Sequence, residues 1–225
     1  MNKEQLTAPK TGGVRGQPQG ESRAQTAPAA EKPDRTVPVG VSARHVHLFR
    51  EDFAALFGPR DNDSCTVLRD LSQPGQVACE EKVVLIGPKG IIENVRVLGP
   101  TRKQTQVEVA PSDAFRLGIN PPVRDSGDLA GSAGLTIVGS AGTTLILKEG
   151  VILASRHIHM HPSDADRFGV QDKDRVNVKA PGPRGVIYQE VLIRVHPDYR
   201  LEFHIDVDEA NAVCLKNGDV VEVLP

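Results

Sequence analysis

A chain of 225 residues is long enough for one large domain or two small ones, with a sizeable buried core. Its 39% hydrophobic and 25% charged content is ordinary for a soluble globular protein, and a net charge of -2 leaves no basic footprint for nucleic acid. No apolar run approaches the ~20 residues of a membrane span, and no apolar segment follows Met1 to mark a secretory signal.

Residues 1–36 carry almost no large apolar side chains beyond Met1, Leu6 and Val14. Such a stretch cannot bury enough surface to offset its ordering entropy, so it is expected to be a disordered tail, either solubilising or docking. From Val37 the pattern changes. Short runs such as "KVVLIGPKG", "IIENVRVLGP", "TTLILKEG", "VIYQEVLIRVHP" and "DVVEVLP" alternate apolar and polar residues between Gly, Pro, Asn and Asp. That is the period of half-buried strands, and many short strands with frequent turns predict a mainly β barrel or sandwich. The Gly- and Ser-rich stretch 125–142 is expected to be a flexible connection or a lid over a site. Cys65, Cys79 and Cys214 are scattered with no CxxC pair and are expected to be reduced thiols of a cytosol-like compartment.

An internal repeat underlies these runs. "HLFREDFAALFG" from His47, "EVAPSDAFRLG" from Glu108, "HMHPSDADRFG" from His159 and "HIDVDEANAVCLKNG" from His204 share a polar pair, then a short apolar turn, then a glycine. The pairs are Glu51-Asp52, Ser112-Asp113, Ser163-Asp164 and Asp208-Glu209, and the expected stops are Gly58, Gly118, Gly169 and Gly218. Each unit therefore predicts a strand, a short loop and a short helix, two units in each half of the chain.

The residue that opens each unit can bind a metal ion. His45 and His47 lie two apart on one strand and so share a face, as do His157 and His159. With Glu108 and His204 they make six candidate ligands, close to what two catalytic ions need at three protein ligands each. Zinc suits imidazole and carboxylate donors, with cobalt, manganese or iron as alternatives. His161 and His196 fall outside the register. Arg44 and Arg156 precede each His-x-His on the opposite pleat and are expected to be structural. Arg102, Lys103 and Arg124 lie near the site in sequence, and a guanidinium suits a phosphoryl or carboxylate group because its planar fork donates two hydrogen bonds at once. No nucleophile elbow, phosphate loop or dinucleotide fingerprint is present, which favours direct displacement over covalent catalysis.

"VSARHVHL", "RKQTQVEVAPSDAFRLGI", "PPVRDSGD" and "ASRHIHM" resemble the phosphate propanoyltransferases of bacterial microcompartments, the PduL-type phosphotransacylases. The resemblance covers roughly Val37–Pro225. It implies two small β-barrels with short capping helices, one of residues 37–44 plus 152–225 and the other of residues 45–151. It implies two divalent metal ions, zinc foremost, held by His45, His47, Glu108, His157, His159 and His204, with Arg102 as the phosphate-binding arginine. Ser42, Arg69, Arg96 and Asn211 match the coenzyme A-binding positions, and Arg124 joins them as a candidate substrate contact. The reaction implied is acyl-CoA, propanoyl or acetyl, plus phosphate to acyl phosphate plus CoA, by a homodimer in a microcompartment lumen, with propanediol degradation as the setting. Family members often carry an amphipathic encapsulation helix at the N-terminus that meets shell or cargo proteins. "MNKEQLTAPK" matches it poorly, so a cytoplasmic location is the alternative. Two rival functions use the same residues: a two-metal hydrolase of thioesters or phosphoesters, and a non-catalytic metal-stabilised scaffold.

Overall fold

The computed structural model describes residues 34–59, 65–140 and 142–224. Up to position 33 the expected tail, with its encapsulation segment, lies outside the described residues. The described residues are mainly β, with two closed six-stranded barrels and four short helices among them. Among the described residues no helix is long and apolar enough to cross a membrane.

The first barrel runs β1 (Thr36–Ser42), β13 (Glu202–Asp206), β10 (His157–Met160), β12 (Val186–Val195), β11 (Arg175–Ala180) and β14 (Val220–Val223), and β14 closes back onto β1. The second runs β4 (Val77–Ile86), β5 (Ile91–Arg102), β2 (His45–Phe49), β6 (Gln106–Glu108), β9 (Thr144–Ala154) and β8 (Ala133–Val138), with β8 closing onto β4. β3 (Val67–Asp70) extends the edge of β4, and β7 (Val123–Arg124) pairs with β9. The barrels exchange their opening strands. β1 precedes β2 in the chain but pairs with β13, and β9 precedes β10 but pairs with β6. Both crossings bring the Ser42–His45 and Ala154–His157 links to the seam between the barrels.

Each barrel fills its own interior. Val37, Ile158, Met160, Phe168, Ile193 and Phe203 belong to one core, and Val46, Leu48, Phe53, Leu85, Val107 and Ile137 to the other. The alternation that buries Ile158 and Met160 turns His157 and His159 to the opposite face, and Val46 and Leu48 do the same for His45 and His47. Full burial of such side chains stabilises by roughly 1.5–3 kcal/mol each, and a one-residue slip would reverse every face, so packing fixes where the imidazoles point.

The helices follow the repeat: α1 (Arg50–Phe57), α2 (Pro111–Leu117), α3 (Pro162–Phe168) and α4 (Val207–Val213). Gly118 and Gly169 end α2 and α3 in the left-handed region that glycine tolerates best. The fourth expected stop is displaced. α4 ends at Cys214, itself left-handed at φ 63, and Gly218 lies in the following turn.

Two further expectations are corrected. Cys65 and Cys79 form a disulfide, because the antiparallel β3–β4 pairing makes neighbours of residues 14 apart in sequence; Cys214 is free and exposed. The stretch 125–142 is a loop at the site only at its start, where Ser126 and Gly127 bond Arg102 and Gln106, and it is no free lid throughout. Its middle is β8, a wall strand whose Leu135 and Ile137 enter the core.

Candidate active site

A cleft of about 990 Å³ opens along the seam, lined from both barrels. On one side, antiparallel pairing sets His45 opposite Glu108 and His47 opposite Gln106. His45 Nε2 stands 3.5 Å from Glu108 Oε2. Its Nδ1 donates to the Ala43 carbonyl at 2.9 Å, so in the neutral ring Nε2 is the free lone pair. Gln106 Nε2 donates to Glu108 Oε1 at 2.5 Å and to Ser126 Oγ at 2.8 Å.

The other side repeats the construction. His157 stands opposite His204, and His159 opposite Glu202. His157 Nδ1 donates to the Ser155 carbonyl at 2.8 Å, again leaving Nε2 free. Glu202 Oε2 accepts from His204 Nε2 at 2.6 Å and from Ser72 Oγ at 2.5 Å, and Gln73 Nε2 adds a third bond at 3.1 Å. Gly40 leaves the room for this, since a Cβ there would lie 2.8 Å from Glu202 Cδ.

Arg44 and Arg156 are structural, and in matching ways. Arg44 Nε bonds Asp113 Oδ1 at 2.7 Å, and Arg156 Nε bonds Glu209 Oε1 at 2.8 Å. Asp113 and Glu209 also accept the backbone N–H groups of Ala110 and Asp206, so each arginine ties a His-x-His strand to the capping acid of a helix.

Burial pushes the Glu108 carboxyl up, but His45, His47 and Arg102 outweigh it and hold the group well below the usual carboxylate range. Burial lowers His45, and the facing Glu108 more than reverses it. Burial, then the neighbouring His45, holds His47 far below its ordinary value. His157 falls to about 4 through burial and His204, and His159 to about 2 through burial, His157 and His204. At neutral pH these three rings are uncharged, with lone pairs available to a cation.

The fit to metal ions rests on a specific feature. His47 Nδ1 and His159 Nδ1 are buried without a hydrogen-bond partner. An unpartnered buried nitrogen is costly, and a cation satisfies it. The donor atoms of His45, His47 and Glu108 lie within 4.8 Å of one another, and so do those of His157, His159 and His204. These are the groupings that neutral imidazole and carboxylate chemistry suits to zinc. A third grouping, Cys65, Cys79 and Glu81, has its two sulfurs joined in the disulfide.

Arg102, Ser42, Arg69 and Arg96 line the cleft with the six ligand candidates. Arg102 Nη1 donates to Ser126 Oγ at 3.0 Å, and burial lowers its affinity for its proton without approaching neutrality. Two candidates stand elsewhere. Arg124 is drawn to Asp128 at 2.9 Å, outside the cleft lining. Asn211 is exposed on α4, away from the lining, where Asn217 takes part instead. Sequence reasoning missed Arg194 and Tyr199, which both line the cleft, and Ser72 and Gln73, whose hairpin tip reaches across to Glu202. Only the period-2 reading of "EVLIRVHP" hinted at Arg194, and its neighbour is decided by strand order.

Paired barrels share a cleft that carries two matched donor sets and an arginine, a lining suited to an anionic group. Residues 38–216 match the family model described as phosphate propanoyltransferase, and the chain belongs to that family. It is 57% identical to the phosphate propanoyltransferase of Thermotoga maritima over 187 residues, 83% of this chain and 88% of that one. It is 53% identical to that of Rhodobacter capsulatus over 204 residues, 90% and 93% of the two chains. A Rhodopseudomonas palustris relative of the same name is 53% identical over 188 residues, 83% and 81%. The chain is a phosphotransacylase.

Proposed function

We propose that the chain converts propanoyl-CoA or acetyl-CoA and inorganic phosphate to acyl phosphate and CoA by direct attack in the cleft. A phosphate oxygen bonds to the thioester carbonyl carbon, the C–S bond breaks, and the electron pair leaves on the CoA sulfur as thiolate. The observation that carries this reading is the pair of donor sets lining one cleft with Arg102, the donor atoms of each set within 4.8 Å of one another. His45, His47 and Glu108 would hold one divalent ion and His157, His159 and His204 the other, zinc foremost. Such ions, when bound, supply Lewis-acid stabilisation of the developing oxyanion.

The protein's own groups do the rest. Arg102 is half-buried, so its planar fork acts on a phosphate more strongly than it would in open water, and Ser126 accepts a hydrogen bond that directs it. Holding phosphate against the thioester replaces a bimolecular encounter, an effect worth roughly 7–11 kcal/mol of barrier in well-oriented systems. Arg69 and Arg96 on the β3–β5 wall suit the phosphates of CoA, with Ser42 across from them. The free cysteine, Cys214, is absent from the cleft lining, which argues against a cysteine acyl-enzyme. The family resemblance further supports a homodimer in a microcompartment lumen, with propanediol degradation as the setting and the tail as the contact to shell or cargo proteins. A chain whose tail does not target would work in the cytoplasm.

The test is release of CoA thiol from propanoyl-CoA with and without phosphate, on protein of known metal content. Release that requires phosphate and accumulates acyl phosphate is expected. Equal release without phosphate would make the protein a hydrolase, and none from fully metallated protein would favour a scaffold.

A further inference from the structure

Arg194 is a cleft-lining guanidinium to which the reaction above gives no role. It lies on β12, directly beside His159 in the parallel β10–β12 register. The matching position in the other barrel, beside His47 on β5, is Leu98. One barrel therefore places a cation where its duplicate places an apolar chain, and packing alone does not need the change. Among the described residues no carboxylate neutralises Arg194. Its contact is the Tyr199 ring, whose centroid lies 6.0 Å from the guanidinium carbon. That ring in turn packs on His159 at 4.3 Å between centroids. Imidazole, phenol and guanidinium thus follow one another in a row along the cleft lining.

Arg102 reaches the same cleft from the other barrel, and the two arginines are close enough for each other's charge to be felt. Two cations sharing a partly desolvated space repel, and a multivalent anion between them reverses that cost. A tetrahedral phosphate has oxygens for both forks.

We propose that Arg194 is a second phosphate-binding residue, acting on the inorganic phosphate from the side opposite Arg102, with the Tyr199 ring positioning it. This rests on the transferase reading. The same chemistry could serve a phosphate of CoA; the place beside His159, a donor of the second set, and within reach of the Arg102 charge favours the inorganic ion.

The experiment uses the full chain with its metal content measured. Phosphate is varied at saturating propanoyl-CoA and propanoyl-CoA at saturating phosphate, for the parent, Arg194→Ala, Arg194→Lys and Tyr199→Leu. Loss of a charge-assisted contact predicts a rise in the phosphate KM of roughly 10- to 100-fold for Arg194→Ala, with the propanoyl-CoA KM within about twofold. Arg194→Lys keeps the charge without the fork and should fall between, and Tyr199→Leu should raise the phosphate KM by a smaller factor. Calorimetric binding of phosphate alone should weaken in parallel, at unchanged metal content. An unchanged phosphate KM in Arg194→Ala and Arg194→Lys would overturn the assignment. So would a shift confined to propanoyl-CoA, which would give Arg194 to a CoA phosphate, or an effect that follows metal loss, which would make it structural. If the parent itself releases CoA without phosphate, the transferase reading falls and this inference with it, a result distinct from the others.

Discussion

The two donor sets stand on the same strand register and differ at two positions. Where the β6 side has Glu108 and Gln106, the β13 side has His204 and Glu202. Each side therefore carries one carboxylate, but in a different place. Glu108 is itself a donor of its set, whereas Glu202 sits behind His204 and hydrogen-bonds to it. A carboxylate donor places negative charge against a bound cation; three imidazoles leave the cation more strongly acidic, with the carboxylate only orienting a ring. The neighbouring residues diverge in the same sense, Leu98 on one side and Arg194 on the other. Duplication supplied the geometry twice, and these differences make the two halves chemically unequal.

The comparison can be broken most severely by removing one unpartnered histidine from each side. His47→Ala and His159→Ala should each lose about one metal equivalent and on the order of 10³-fold in kcat/KM, checked by metal analysis and acyl phosphate formation. Loss of both equivalents from one variant would mean that the sets are a single cooperative unit. Next comes Arg102→Ala, which should keep both equivalents and lose roughly 10²-fold in kcat/KM, most of it in phosphate dependence.

The carboxylates sharpen the contrast further. Glu202→Gln should weaken metal affinity of the His204 side by roughly 10- to 100-fold, the usual effect of removing a group that orients a ligand. Glu108→Gln removes a donor outright and should cost its side more. Competition with a chelator of known affinity reads both, and equal losses would erase the distinction. The smallest effects belong to the matched arginines. Arg44→Ala leaves the buried Asp113 carboxylate with the Ala110 N–H but no cation and should cost about 2 kcal/mol, while Arg156→Ala leaves the less buried Glu209 and should cost about 1 kcal/mol, both by urea denaturation.

Much of the site is legible in the amino-acid sequence itself. His-x-His appears twice because side chains two apart on a strand share a face, and the repeat then points to Glu108 and His204 without knowledge of the fold. Alternation likewise exposes the strands, and glycines the ends of α2 and α3. What the sequence hides depends on pairing. Arg194 becomes a neighbour of His159 only through the parallel β10–β12 ladder, which joins residues far apart in the chain. Cys65 meets Cys79 only through β3–β4. Arg124 stands beside the glycine-rich stretch, and the spacing that pairs it with Asp128 on the surface shows only once the chain is folded. The glycines of 125–142 suggest freedom, whereas "AGLTIV" within them closes a barrel.

The most direct test of two unequal metal sites serving one reaction is stepwise reconstitution. Zinc would be added back to chelator-stripped full-length chain while phosphate-dependent CoA release is followed. Activity that rises and saturates at two equivalents per chain is the expected result. Full activity in the stripped protein, or saturation at one equivalent, would contradict it.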